Sequence, residues 1–295
     1  MLNIANSVAA LLALLPFLAA AFFPARLRSC TRPITQGSAV WPAVLSSAAL
    51  SLPYLIVAGA AGIFRWGWMA LYALLPVAVS GLCWQARRSD PDQRGNWRDY
   101  AVLAALGLPV DLRWFEGAWP AHLAIFSKIL LLDAGIYGLL LIRGLEGAGF
   151  DLRVSGRDIL TGMREFLFYA SIAIPLGLGL GFLHLHVGWP SPWRALEALF
   201  FTFFFIAAPE ELFFRGWLQN LLQRRMPRSW ALLATASLFG LAHFNKRAAH
   251  FNWRYVILAL LAGIFYGRAW RSKARVGASA VTHCLVDVAW SLWLR

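Results

Sequence analysis

Apolar and polar positions do not alternate along this chain with the short period of a sheet or the one-sided period of a surface helix. Instead, runs of roughly 20 apolar residues, the length that crosses about 30 Å of hydrocarbon, recur between short polar links. The predicted spans are Leu2–Phe23, Val40–Phe64, Trp66–Trp84, Ala121–Ile142, Glu165–Val187, Trp193–Trp217, Ser229–Phe244, Arg254–Trp270 and Val276–Leu294. "LAAA" in the first of these resembles a signal-peptide cleavage site, but the stretch lacks a basic n-region and reads as a span. Tyr100–Val110 is too short to cross, and the "DLRWFEGAWP" after it has the aromatics and charges of an interfacial or re-entrant segment, with Asp111 and Arg113 as anchors. The stretch "QARRSDPDQRGNWRD" and residues Gly144–Arg164 read as solvated links. The pattern predicts an all-α, polytopic transmembrane helical bundle of about eight to nine spans.

Composition agrees with that reading. The 295 residues are 60% hydrophobic and 14% charged, against about a quarter charged in soluble domains. Lys and Arg number 27 against 14 acidic residues, a net +13 that in a soluble protein would point to nucleic acid. Here the basic residues lie in the links. If those after the first, third, fourth, sixth and eighth spans face the cytoplasm, they carry 18 Lys and Arg, among them Arg143, against five on the other side, Arg65, Arg194, Lys246, Arg247 and Arg254. The charge therefore orients a membrane protein, and nucleic acid is excluded as a partner. Cys30, Cys83 and Cys284 have neither the number nor the spacing of a disulfide framework or a zinc knuckle, and read as packing residues.

Three of the later spans contain polar groups where hydrocarbon should be. In "FFFIAAPEELFFRGWLQN" (Phe203–Asn220), Glu211 and Arg215 are four apart and share a helix face, so each offsets the burial of the other. Glu210 points about 100° away from that pair. Pro209 before it removes a backbone hydrogen bond and opens room for water beside the carboxylate. "SLFGLAHFN" places Phe239 and His243 on one face, and "VTHCLVDVAW" does the same for His283 and Asp287. Each charge at a bilayer centre costs at least about 2.5 kcal/mol, so the economical arrangement is convergence on one wet pocket inside the bundle. Such a pocket can hydrolyse a bond: Glu210 activates water, while His243 and His283 with Asp287 position it or stabilise an oxyanion. Buried carboxylates and histidines also build proton relays, so a proton-coupled transporter and a non-catalytic scaffold or immunity protein stand as alternatives. No internal symmetry of the transporter kind is visible.

In order, Glu210-Glu211-x3-Arg215, Phe239-x3-His243 and His283-x3-Asp287 resemble the EExxxR, FxxxH and HxxxN/D motifs of the CAAX prenyl protease type II and bacteriocin-processing (CPBP, or Abi) family. The resemblance covers roughly Thr161–Arg295 and divides the chain into residues 1–160, helices without a motif, and a catalytic domain over 161–295. It implies an intramembrane endopeptidase with Glu210 as base, His243 and His283 assisting, and Asp287 where some members have asparagine. The residues Glu211, Arg215 and Phe239 support these. The implied class is the glutamic peptidase, although members were long described as metalloproteases; zinc is possible in principle, but HExxH is absent and a metal-free mechanism without cofactor is preferred. The implied partner is a membrane-associated protein or peptide: a CAAX-like or C-terminal sorting tail, or a bacteriocin-type peptide. The expected location is the bacterial inner membrane.

Overall fold

Within hydrocarbon no water satisfies a backbone N–H or C=O, which leaves helices or closed barrels as the only spanning structures. The computed structural model describes residues 4–186, 188–246 and 250–294, and among these every regular element is helical. The expected ends at Leu2 and Val187, and Arg247 of the charge count, lie outside the described residues. Among the described residues, five stretches are long and apolar enough to cross a membrane: Ile4–Phe22, Val40–Ala60, Trp66–Ser89, Ala121–Ile142 and Gly156–Gly179. The chain forms two compact units, Met1–Glu146 and Gly147–Arg295.

The first unit runs α1 (Ile4–Phe22), α2 (Pro24–Thr35), α3 (Val40–Leu45), α4 (Leu52–Ala60), α5 (Trp66–Ser89), α6 (Trp97–Asp111) and α7 (Ile125–Gly135). The span expected over Val40–Phe64 is helical but uneven, because a 3₁₀ segment, Ser46–Ser51, separates α3 from α4. Its serines turn back on the chain, Ser47 Oγ donating to the Val44 carbonyl at 2.6 Å and Ser51 Oγ to that of Ala48 at 2.7 Å. Helix α7 continues as a π-helix, Ile136–Ile142. Between α6 and α7, Arg113 pairs with Glu116 at 2.8 Å and Trp119 donates through its indole N–H to the Tyr72 hydroxyl at 2.6 Å.

The link before α6 departs from its reading as solvated loop. Asn96 and Asp99 cap α6 with a reciprocal capping box, and Asp99 is buried. Arg143, counted above among the orienting charges, is 1% exposed. Its guanidinium lies between Asp99 (Nε–Oδ1, 3.0 Å) and Asp90 (Nη2–Oδ2, 2.6 Å) and also donates to the Asp90 carbonyl at 2.9 Å. The charge is a rivet joining α7's continuation to the α5–α6 link. Breaking a buried pair by removing one partner costs about 3–5 kcal/mol. Asp99→Ala is therefore expected to lower thermal stability by about that much, read by denaturation in detergent, whereas Arg94→Ala, on an exposed residue, leaves it unchanged.

The second unit contains α8 (Gly156–Gly179), α9 (Pro192–Thr202), α10 (Ala208–Glu211), α11 (Asn220–Leu222), α12 (Arg228–Leu241), α13 (Trp253–Lys273) and α14 (Val276–Trp293). The Ser155/Asp158 capping box starts α8 earlier than expected, and the helix stops at Gly179, before the expected Val187. Consequently His184 and His186, expected at a helix end, lie on non-helical chain whose N–H groups donate to the carbonyls of Leu294 (3.4 Å) and Trp293 (2.9 Å). Helix α13 packs on α8, α12 and α14. Its contact with α12 is close because Gly263 lies against Ala236, where a Cβ would be tight at 3.0 Å, and Gly267 against Leu232, where a Cβ would overlap the side chain. Glu165, buried on α8, pairs with Arg268 of α13 at 3.0 Å and with Arg164 at 2.8 Å.

The entry into α14 is fixed from the link before α8. Gly149 accepts the Val276 N–H at 2.8 Å with φ +65°, and a Cβ there would run into the Ala274 carbonyl, so only glycine fits. Asp151 accepts from the Arg153 backbone N–H (2.9 Å) and guanidinium (2.7 Å) and pairs with Arg275 at 3.3 Å. These hydrogen bonds from Arg153, with the charge of Arg275, hold the Asp151 carboxyl below its ordinary range. A carboxyl lowered in the folded state contributes stability that is complete above the unfolded value of about 4 and is lost as pH falls through the folded one. The Tm difference between wild type and Asp151→Asn is expected to be constant from pH 7 to about pH 5 and to shrink below about pH 4.

Candidate active site

Glu210 and Glu211 form the last turn of a short α-helical piece between two π-helical segments, Phe203–Ala207 and Leu212–Gln219, in a helix that runs without a break over 192–222. Pro209 has no N–H for the carbonyl four residues back, which removes a ladder bond beside the first π segment. The expectation of a single regular span over Trp193–Trp217 is thus replaced by a helix whose turns widen on both sides of the two glutamates. Glu211 and Arg215 still meet across one turn, at 3.3 Å between Oε2 and Nε, and both side chains are 0% exposed.

Arg215 has two further kinds of contact. Its Nη2 donates to the Gly263 carbonyl of α13 at 3.2 Å. Its guanidinium carbon lies 5.0 Å from the Phe239 ring centroid, 5.7 Å from Tyr266 and 5.8 Å from Phe214, inside the cation–π range. One turn on, Gln219 donates to the Gly267 carbonyl at 3.4 Å. The glutamate-bearing helix is thereby pinned to α13.

His283, the eighth residue of α14, is the hub of the site. Its Nδ1–H donates to Glu211 Oε1 at 2.9 Å. Its Nε2 lies 3.6 Å from Asp287 Oδ2 and 3.9 Å from Glu210 Oε2, longer than direct hydrogen bonds and compatible with a water in reach of both sides. The three carboxylates therefore differ in kind. Glu211 is dry and held between an arginine and an imidazole, whereas the side chains of Glu210 and Asp287 are 30% and 28% exposed.

His243 lies just beyond α12, where its Nδ1–H donates to the Phe239 carbonyl at 2.8 Å. That bond fixes the neutral tautomer with Nε2 as an acceptor. The ring of Phe239 is 4.9 Å from His243 and 5.7 Å from His283, so the phenylalanine packs against both imidazoles. An apolar cavity of about 60 Å³ reaches His243, His283 and Asp287 between α8, α13 and α14. Its wall includes Tyr169, Leu258, Ala262 and Trp290. Among the described residues no three His, Cys, Asp or Glu side chains are grouped as a metal site.

All seven side chains singled out from the sequence lie in this one region. Sequence reasoning paired His283 with Asp287 and Glu211 with Arg215; the closest of these partners to His283 is Glu211, which thereby joins the two pairs. Two tyrosines of α13 were missed. Tyr266 stacks on His283 at 4.5 Å and 16°, and Tyr255 meets His243 edge-on at 4.8 Å. Each is an ordinary aromatic in an apolar helix, and their only signature is that they lie 11 residues, about three turns, apart on one face.

Because Glu211 links Arg215 to His283, its removal leaves a buried guanidinium without its counter-charge. Glu211→Ala is expected to cost about 3–5 kcal/mol of stability, and Arg215→Met combined with it to cost less than the two single changes summed, in a double-mutant cycle read by thermal denaturation.

No curated protein and no solved structure matches the chain. A family model does match: residues 192–289 fit the one described as Rce1-like, type II CAAX prenyl endopeptidase. The matched segment runs from α9 into α14 and carries Glu210, Glu211, Arg215, Phe239, His243, His283 and Asp287. With the five apolar helices it makes this an integral membrane protein. Over residues 192–289 the chain is thus similar to the Rce1-like type II CAAX prenyl endopeptidases.

Proposed function

We propose that the C-terminal unit hydrolyses a peptide bond in a membrane-associated protein or peptide, using water activated by Glu210, without a metal, as a glutamic-type peptidase of a bacterial inner membrane. One observation carries this reading. His283 is held at Nδ1 by the dry Glu211–Arg215 pair, and its Nε2 faces the two accessible carboxylates, Glu210 and Asp287. A carboxylate with room beside it can take a proton, whereas one already engaged by an arginine and an imidazole holds its neighbours in place.

In this mechanism Glu210 removes a proton from water as the oxygen attacks the scissile carbonyl carbon, giving a tetrahedral intermediate. Neutral His243, with Nδ1–H committed to the Phe239 carbonyl, offers Nε2 as an acceptor. That suits it to orient the attacking water rather than to donate to an oxyanion. His283 in its imidazolium form donates from Nε2 to the oxyanion, with Asp287 steadying that edge of the ring. Collapse of the intermediate breaks the C–N bond, and the protonated Glu210 returns its proton to the leaving amine. The products are a carboxylate and a protonated amine. The apolar cavity beside the histidines suits aliphatic substrate side chains, as in a CAAX-like or sorting tail.

The test is cleavage of membrane-anchored C-terminal tails by the protein in liposomes. Glu210→Gln is expected to lower the rate by about 10²–10⁴-fold, the usual contribution of a general base. A strong chelator is expected to leave the wild-type rate unchanged. Cleavage by Glu210→Gln at the wild-type rate would overturn the assignment of the base and favour a scaffold; loss on chelation would overturn the metal-free mechanism.

A further inference from the structure

Helix α13 contributes none of the motif residues, yet it contacts Arg215, His243 and His283. Its Gly263 carbonyl accepts from Arg215 and its Gly267 carbonyl from Gln219, at 3.2 and 3.4 Å. Its Tyr255 ring abuts His243 with centroids 4.8 Å apart, and also packs on Trp290 of α14 at 5.3 Å. Three turns along, the Tyr266 ring lies nearly parallel to that of His283, with centroids 4.5 Å apart and planes inclined by 16°. Tyr266 is buried and also lies within 5.7 Å of the Arg215 guanidinium.

We infer that α13 is the positioning element of the site and that Tyr266 is the positioning residue that fixes the plane of the His283 ring. The inference rests on the proposed catalytic role of His283. The hydrogen bond from Nδ1 to Glu211 fixes one point of the imidazole and leaves the ring free to tilt about it. A parallel ring at stacking distance removes that freedom, since tilting would either separate the faces or press them together. With the plane held, Nε2 stays directed at the gap bounded by Glu210 and Asp287, 3.9 and 3.6 Å away. A displacement of about 1 Å at such an atom can cost 10²-fold in rate, so a group that never touches substrate can control turnover.

The ring of Tyr266, not its hydroxyl, does this, which sets the experiment. Tyr266→Phe and Tyr266→Leu are compared in the full-length protein by kcat and KM for tail cleavage in liposomes. The ring resonances of isotopically labelled histidine are recorded in detergent, with the His283 signal identified by its disappearance in His283→Gln. Tyr266→Phe is expected to keep kcat within about two-fold and to leave the His283 signal near its wild-type position. Tyr266→Leu is expected to lower kcat about 10- to 100-fold at little-changed KM and to move that signal. The inference is overturned if Tyr266→Leu merely lowers Tm while kcat and the His283 signal stay put, or if Tyr266→Phe falls as far as Tyr266→Leu. Should His283→Gln cleave at the wild-type rate, the catalytic reading of His283 fails on its own. The His283 signal in the two Tyr266 variants then still decides whether the stack orients the ring.

Discussion

Glu211 has no exposed surface, and a carboxylate in such a place must be neutralised and hydrogen-bonded or it unfolds its surroundings. One oxygen faces Arg215 and the other accepts from His283. The requirements of these partners then propagate. Arg215 brings the Gly263 carbonyl and three aromatic rings to its guanidinium, which fixes α13 and Phe239 of α12. His283 brings α14 and, through Nε2, the two accessible carboxylates. The arrangement of four helices follows from giving one buried charge its partners.

Helix geometry makes room for this. The glutamates occupy one regular α-helical piece between two π-helical ones, beside a proline that cannot complete the backbone ladder. An i→i+5 turn is wider than an α turn and shifts the side chains beyond it around the axis. Glu210 and Glu211 are adjacent in sequence, yet one is sealed against Arg215 and the other reaches the open side of His283. Adjacency with opposite fates suits the proposed chemistry, in which the general base is reachable and its organiser is not.

Buried ion pairs recur as joints in the first unit. Arg143 between Asp90 and Asp99 is built on the same principle as Arg215 with Glu211, without a histidine to turn the pair toward chemistry. The composition counted Arg143 as one more orienting charge, because a residue at the edge of an apolar run looks the same whether it faces the cytoplasm or folds back onto two aspartates. The difference lies in the path of the link between α5 and α6, which no local pattern encodes. The early stop of α8 is of the same kind: residues 180–186 remain apolar enough to continue a helix, but the chain instead lays His184 and His186 along the end of α14.

Sequence by itself determined the helical class, the membrane setting and the seven polar and aromatic positions that the fold brings together. These rest on effects that act residue by residue: the cost of backbone and charge in hydrocarbon, and the four-residue spacing that puts two side chains on one face. Tertiary structure decided who pairs with whom. It gave His283 to Glu211 rather than chiefly to Asp287, packed Phe239 against both histidines and supplied Tyr255 and Tyr266 from a helix without a motif. Those choices depend on distances between helices. Close packing sets such distances, through Gly263 against Ala236 and Gly267 against Leu232, and a linear pattern carries no record of them.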